Sequence, residues 1–172
     1  EHFPDEETLC LALMPFFDTY GLTCCLNAGL TIPSGQILVP FMDIDLVLEL
    51  IQQYKPAIFP GVPDLYLELI NHPDMEKYGL NSVKVCISGD SPMPVEAIEL
   101  FEEKTGSSIL EGYGLAEASP ITHCNPLIGV RKPGSIGVPY PATDCKIVDL
   151  DTGEREMPAG EEGELIIRGP QV

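Results

Sequence analysis

Residues 111 to 120 read EGYGLAEASP, and their types and spacing could hold a nucleotide. Gly112 and Gly114 flank Tyr113, so the backbone can approach a ligand closely while the phenol ring offers a flat face to a base. Glu117 follows four residues after Tyr113, where a carboxylate could ligate a magnesium ion that accompanies phosphates. The same residues also fit a plain turn. A second polar turn, Gly89-Asp90-Ser91, directly follows an apolar alternation. The other chemically capable residues point nowhere by spacing. His2, His72 and His123 lack metal-ligand spacing, and His123 reads as a loop residue. The 6 cysteines, at 10, 24, 25, 86, 124 and 145, form no C-x-x-C pair and read as small hydrophobes, none of them catalytic. They fit a reduced, cytoplasmic compartment.

The elements that must position these residues alternate. Thr8 to Phe17 begins as an apolar run suited to a buried strand, and Ile37-Leu38-Val39 is a second. Asp43 or Asp45 can cap a helix whose Ile44, Val47, Leu48 and Ile51 share one face. Residues 56 to 60 read as a strand, and Pro63 opens a helix that His72-Pro73 stops. Residues 83 to 88 alternate as a strand, and Pro94 opens a helix with Gly106 beyond its end. A strand from Ser108 then breaks at Gly112-Tyr113-Gly114. This order predicts an α/β fold, a mostly parallel sheet flanked by helices, with ligands in the loops beyond the strand ends at 88 to 94 and 111 to 119. After about residue 130 turn signals take over, and 144 to 150 and 164 to 168 read as antiparallel strands of a partial barrel. The expected division is therefore 1 to 130 and 131 to 172.

Composition bounds the function. With 172 residues, 44% of them hydrophobic, the chain can bury a core without metal or disulfide staples. A net charge of −18 argues against nucleic acid or an anionic membrane surface as partner, and on its face against an unaided ATP site. Residues 19 to 42 carry no formal charge, yet polar residues and the Pro33-Ser34-Gly35 turn interrupt them. A buried helix, a turn and a buried strand are expected there, not a membrane span. Peripheral membrane contact and oligomeric state stay open. The seven acids and one Arg of 149 to 164 read as a solvated hairpin face. No signal peptide is visible, and the chain is expected to begin and end within a longer protein.

Several linked motifs carry a resemblance. CISGDSPMP (86 to 94), EGYGLAEASPITHCNP (111 to 126), RKPGSIGVPYPATDCKIVD (131 to 149) and GEEGELIIRGPQV (160 to 172) follow the order seen in acyl-CoA synthetases. These belong to the acyl-adenylate-forming enzymes. With YKPAIFPGVPDLYLELINHPDMEKYGLNS (54 to 82), the chain most resembles an internal part of the amino-terminal domain of the long-chain fatty acyl-CoA group. The resemblance implies an AMP-forming acid-thiol ligase. A carboxylate attacks the α-phosphate of ATP to give acyl-AMP and pyrophosphate, and coenzyme A then displaces AMP. It also implies that Gly89, Asp90 and Ser91 line one face of the adenine, with Tyr113 on the other and Glu111 at its edge. Gly112, Gly114 and Ala116 complete the nucleotide site, and Glu117 is the catalytic residue that ligates Mg2+. Asp18 and Tyr20 face the substrate carboxylate, and Val62 and Pro63 the acyl chain.

Two positions depart from the family pattern. Ala116 stands where Thr is usual, which removes one hydrogen bond to phosphate of about 1.5 to 3 kcal/mol. Asp18 stands where His is usual, and its charge would repel a substrate carboxylate unless protonated or paired. The phosphate loop with its lysine, the ribose-binding Asp and the carboxyl-terminal catalytic Lys are expected outside these residues, so acidity need not exclude a nucleotide enzyme. The fragment alone is then expected to be inactive. A non-catalytic nucleotide- or acyl-binding relative is the alternative, and an acidic interaction module without a ligand is a third reading.

Overall fold

The computed structural model describes residues 8–31 and 34–172, so His2 and the Pro33 part of the expected turn lie outside it. Five strands, β1 (Thr8–Ala12), β2 (Ser34–Leu38), β3 (Ile58–Gly61), β4 (Val85–Ser88) and β5 (Ser108–Gly114), pair in parallel. β6 (Ile121–Cys124) and β7 (Val138–Pro139) extend the sheet antiparallel, giving the order β2-β1-β3-β4-β5-β6-β7. β8 (Asp144–Val148) and β9 (Glu164–Arg168) form a separate antiparallel pair. The strand order reverses at β1, with β2 on one side and β3 on the other.

Local chemistry explains the helices. Asp43 caps α2 (Ile44–Tyr54) by accepting the Leu46 N–H at 3.0 Å, and Val47, Leu48 and Ile51 are buried. Pro63 is the first residue of α3 (Pro63–Asn71), where its missing N–H costs nothing, and Leu65, Tyr66, Leu69 and Ile70 turn inward. α4 (Val95–Thr105) buries Ala97, Ile98 and Phe101 and ends at Gly106, whose φ of 70° is left-handed. These helices cover the sheet face that carries Phe59, Cys86 and Ile109, neighbours in register across β3, β4 and β5. Tyr66 joins Phe59 and Phe101, with ring centroids 5.5 Å and 5.4 Å away. Removing such a buried ring costs about 3 to 5 kcal/mol, so this cluster anchors the helix layer.

Three expectations are corrected. β5 does not break at Gly112; it runs to Gly114, because Gly112, Tyr113 and Gly114 exchange the parallel neighbour β4 for the antiparallel neighbour β6. His123 is no loop residue but lies in β6 opposite Tyr113, only 3% exposed. Residues 19 to 42 are less buried than expected. They form a π-helical segment Gly21–Asn27, a short α1 (Ala28–Thr31) and β2, and among their described residues only Gly21 and Cys25 are buried, since β2 is the sheet edge and has one neighbour. Gly35 belongs to that strand and not to a turn. Among the described residues no helix is long and apolar enough to cross a membrane.

The acidic hairpin is mostly solvated, with one exception. Asp149 is buried and accepts the N–H groups of Thr152 at 2.8 Å and Arg155 at 2.9 Å, which organises the turn. Those donors hold its carboxyl well below the usual carboxylate range.

Candidate functional site

Beyond the ends of β4 and β5 lies a cavity of about 210 Å³. It gathers Asp18 and Tyr20 from the segment after β1, Gly89 and Asp90 from the loop after β4, and Gly112, Tyr113, Gly114 and Ala116 from the end of β5. Eight residues named from sequence thus converge on one space, and they come from three separate chain segments. Ser91 and Glu117 are exposed beside the cavity without lining it.

Close backbone approach builds this wall. A Cβ on Gly114 would overlap the Pro120 carbonyl, whose oxygen accepts the Leu115 N–H at 2.7 Å. Gly89 is buried, and a Cβ there would sit 3.3 Å from Tyr20 Cζ. Asp90 next to it adopts φ of 77°, a conformation that costs a non-glycine residue about 1 to 3 kcal/mol. Tyr20 donates its hydroxyl to the Ile87 carbonyl at 2.8 Å, with the Gly61 carbonyl at 3.2 Å. Burial pushes the Tyr20 phenol well above its ordinary pKa, so it stays a donor. Asp18 Oδ1 accepts the Tyr20 N–H at 2.7 Å, so its charge is tied to the start of the following helix.

Glu111 does not face the cavity. Its Oε2 accepts the Gly134 N–H at 2.8 Å, and Asn125 Nδ2 lies 3.5 Å away. Burial raises its pKa, against the opposing pull of the Gly134 and Ser135 N–H groups and Arg131. Asn125 also donates to Ser135 O at 2.7 Å and accepts from Lys132 N at 3.0 Å, while Arg131 binds Glu102 and Ile109 O. The 131 to 135 loop is therefore strapped to β5. Val62 and Pro63 line neither this cavity nor its neighbour; they begin α3 and pack against the core.

A larger apolar cavity of about 390 Å³ adjoins the first and shares Cys24 and Ile87 with it. Cys10, Ile58, Val85, Leu110 and Tyr140 line it, on the sheet face away from α2, α3 and α4. Sequence reasoning missed Cys24, although it stands four residues after Tyr20 and so within reach of the same helix face. Asn125 carried no signal, because its partners depend on a loop fold.

The donor set can be tested against magnesium. Among the described residues no group of three or more His, Cys, Asp or Glu could hold a metal ion. Glu117 is a single exposed carboxylate that stands beside the cavity without lining it, a donor that fits only a magnesium ion taking most of its oxygens from nucleotide and water.

The profile of the family described as AMP-binding enzyme matches residues 1–172. A long-chain-fatty-acid–CoA ligase of Bacillus subtilis (strain 168) is 46% identical over 162 residues, covering 94% of this chain and 29% of that protein. The 4-coumarate–CoA ligase CCL1 of Humulus lupulus is 33% identical over 174 residues, covering 97% of this chain and 31% of that protein. The crystal structure of ATP-bound MatB from Rhodopseudomonas palustris superposes with a TM-score of 0.88 at 29% identity, covering 96% of this chain and 32% of that one. The chain thus spans about a third of the length of these relatives.

Proposed function

This chain belongs to the AMP-binding enzyme family, and from that premise we propose that it forms part of a fatty acyl-CoA ligase that activates a long-chain carboxylic acid with ATP and passes it to coenzyme A. One observation carries the reading. The smaller cavity, lined by two phenol rings, three glycines and two carboxylate-bearing segments, adjoins a larger apolar one, the two sharing Cys24 and Ile87 in their walls. In this reading AMP occupies the smaller space, with Tyr113 against one face of the adenine and Gly89 and Asp90 against the other. The acyl chain lies in the larger one, along Cys10, Ile58, Val85 and Leu110, and not against Val62 and Pro63. A volume of about 390 Å³ falls within the range of small-molecule pockets, and its apolar lining suits an alkyl chain.

The chain's own residues then bind and orient. Tyr20 holds the ends of β3 and β4 in place and so sets the Gly89-Asp90 loop. Glu117 would hold Mg2+, which when bound offsets charge on the phosphates. The carboxylate attacks the α-phosphate of ATP, pyrophosphate leaves, and the thiol of coenzyme A displaces AMP from acyl-AMP. The similarity of the Bacillus subtilis protein supports a fatty acid as substrate; that of the Humulus lupulus protein points to an aromatic acid. A carboxylic-acid panel assayed for coenzyme A thioester formation with the full-length protein tests this. Long-chain fatty acids should exceed hydroxycinnamic acids by at least about tenfold in kcat/KM, and the reverse order overturns the substrate assignment. A second reading, a nucleotide- or acyl-binding relative without catalysis, is favoured by Asp18 and Ala116 on the cavity wall. Nucleotide binding with no thioester formed from any acid would establish it.

A further inference from the structure

A chain of three hydrogen bonds ends at an exposed thiol. Cys145 Sγ on β8 lies 3.3 Å from His123 Nε2 on β6, and His123 Nδ1 lies 2.9 Å from Thr122 Oγ1. Thr122 Oγ1 in turn is 3.3 Å from the carbonyl oxygen of Tyr113. A carbonyl only accepts, so the single threonine proton goes to Tyr113. His123 must then donate from Nδ1, and its Nε2 lone pair accepts the Cys145 S–H. The direction of the whole relay follows from its last member. His123 and Thr122 are 3% and 0% exposed, so the imidazole is held in this tautomer and orientation by its surroundings. Burial also lowers the His123 pKa, which keeps the ring neutral with Nε2 unprotonated as the acceptor.

Nucleophile, base and orienting group are the parts that activate a cysteine. We propose that Cys145 is a base-activated thiol that undergoes exchange with low-molecular-weight disulfides. Its sulfur attacks one sulfur of the disulfide while His123 Nε2 takes the thiol proton. The disulfide's S–S bond breaks as the Cys145 S–S bond forms, and the leaving thiolate receives the proton from His123. One disulfide and one thiol give one mixed disulfide and one thiol, so no further oxidant is needed. Space for the attached group is present, since Cys145 opens on a recess of about 340 Å³ that Lys146 and Arg168 also line. The other cysteines lack this arrangement. Cys10, Cys25 and Cys86 are buried, and burial pushes the thiols of Cys24 and Cys124 up to about 12 and about 11.

The test is incubation of the full-length protein with oxidised glutathione at neutral pH, followed by peptide-resolved mass spectrometry over time. Cys145 should acquire glutathione first, at least about tenfold faster than Cys24 or Cys124, and His123→Gln should slow it about tenfold or more. Labelling of Cys145 at the rate of Cys24 or Cys124, or an unchanged rate in folded His123→Gln, overturns the proposal. If circular dichroism shows that variant unfolded, Thr122→Val decides in the same way, because it keeps the shape and removes the group that fixes the tautomer. Thiol labelling is read without ATP or acid, so its outcome is independent of the ligase reading.

Discussion

Tyr20 Oη and the carbonyl oxygen of Ile87 are 2.8 Å apart, a contact that spans 67 residues of sequence and closes the end of β4 from the segment after β1. Ile87 O also receives the hydroxyl of Tyr66 at 3.1 Å, so two phenols meet where the Gly89-Asp90 loop departs. Tyr20→Phe keeps the ring that packs beneath Gly89 and removes one of these donors. We expect a stability loss of about 0.5 to 1.5 kcal/mol in urea unfolding, and a KM for ATP raised several-fold. An unchanged KM with lowered stability would reduce Tyr20 to a structural role.

The three cavity glycines should differ sharply on substitution. A Cβ on Gly112 would make ordinary contacts, 3.6 Å to Ile121 Cδ1 and 3.7 Å to Ile87 Cγ2, so Gly112→Ala should fold nearly normally. Gly114→Ala drives a methyl into the Pro120 carbonyl and should cost more than about 2 kcal/mol, or prevent folding. Gly89→Ala, with Tyr20 at 3.3 Å, should fall between them and narrow the cavity. Thermal melting of the three variants reads this order.

Asp18 can be separated into charge and cap. Asp18→Asn retains an oxygen for the Tyr20 N–H and removes the charge, so it should keep stability and lower the KM for a carboxylic acid several-fold. Asp18→Ala removes both and should lose about 1 kcal/mol of stability. Equal KM values for Asn and Asp would show that the charge does not reach the substrate.

Acid stability should depend on Arg131. Burial alone would raise the Glu102 carboxyl, but the Arg131 hydrogen bonds, the Ile109 N–H at 2.8 Å and the Arg131 charge together lower it. A carboxyl depressed in the fold stabilises it above the unfolded-state pKa, and that contribution is lost as pH falls through the depressed value. Arg131→Gln should therefore destabilise the protein at neutral pH more than in acid. Urea midpoints measured from about pH 7 down to about pH 3 should converge for the two proteins. A constant gap across the range would remove Glu102 from the account.

The helices were legible because their ends carry local chemistry. Asp43, Pro63 and Gly106 each set a boundary with no reference to the rest of the chain. The cavity was legible in its loops for a similar reason, as polar and glycine-rich turns directly follow strands. What escaped depends on distant partners. Gly112 and Gly114 read as strand breakers, since nothing local to them announces that β6 will pair with them. Nothing local to Glu111 announced that the 131 to 135 loop would bring the Gly134 N–H to its carboxylate. Cys145 and His123 stand 22 residues apart and meet only once β8 lies against β6.

The change of neighbour along β5 also divides the order of assembly. Its first half joins β4 through a helix crossover, a pairing that must await a long loop closure. Its last residues join β6 across a short turn, of the kind that closes within microseconds. The segment bearing Tyr113 can therefore gain its shape as a nascent hairpin, ahead of the parallel sheet that later carries it. Substitutions there should act on how fast the chain collapses to its native topology, and those in β4 on how long that topology endures.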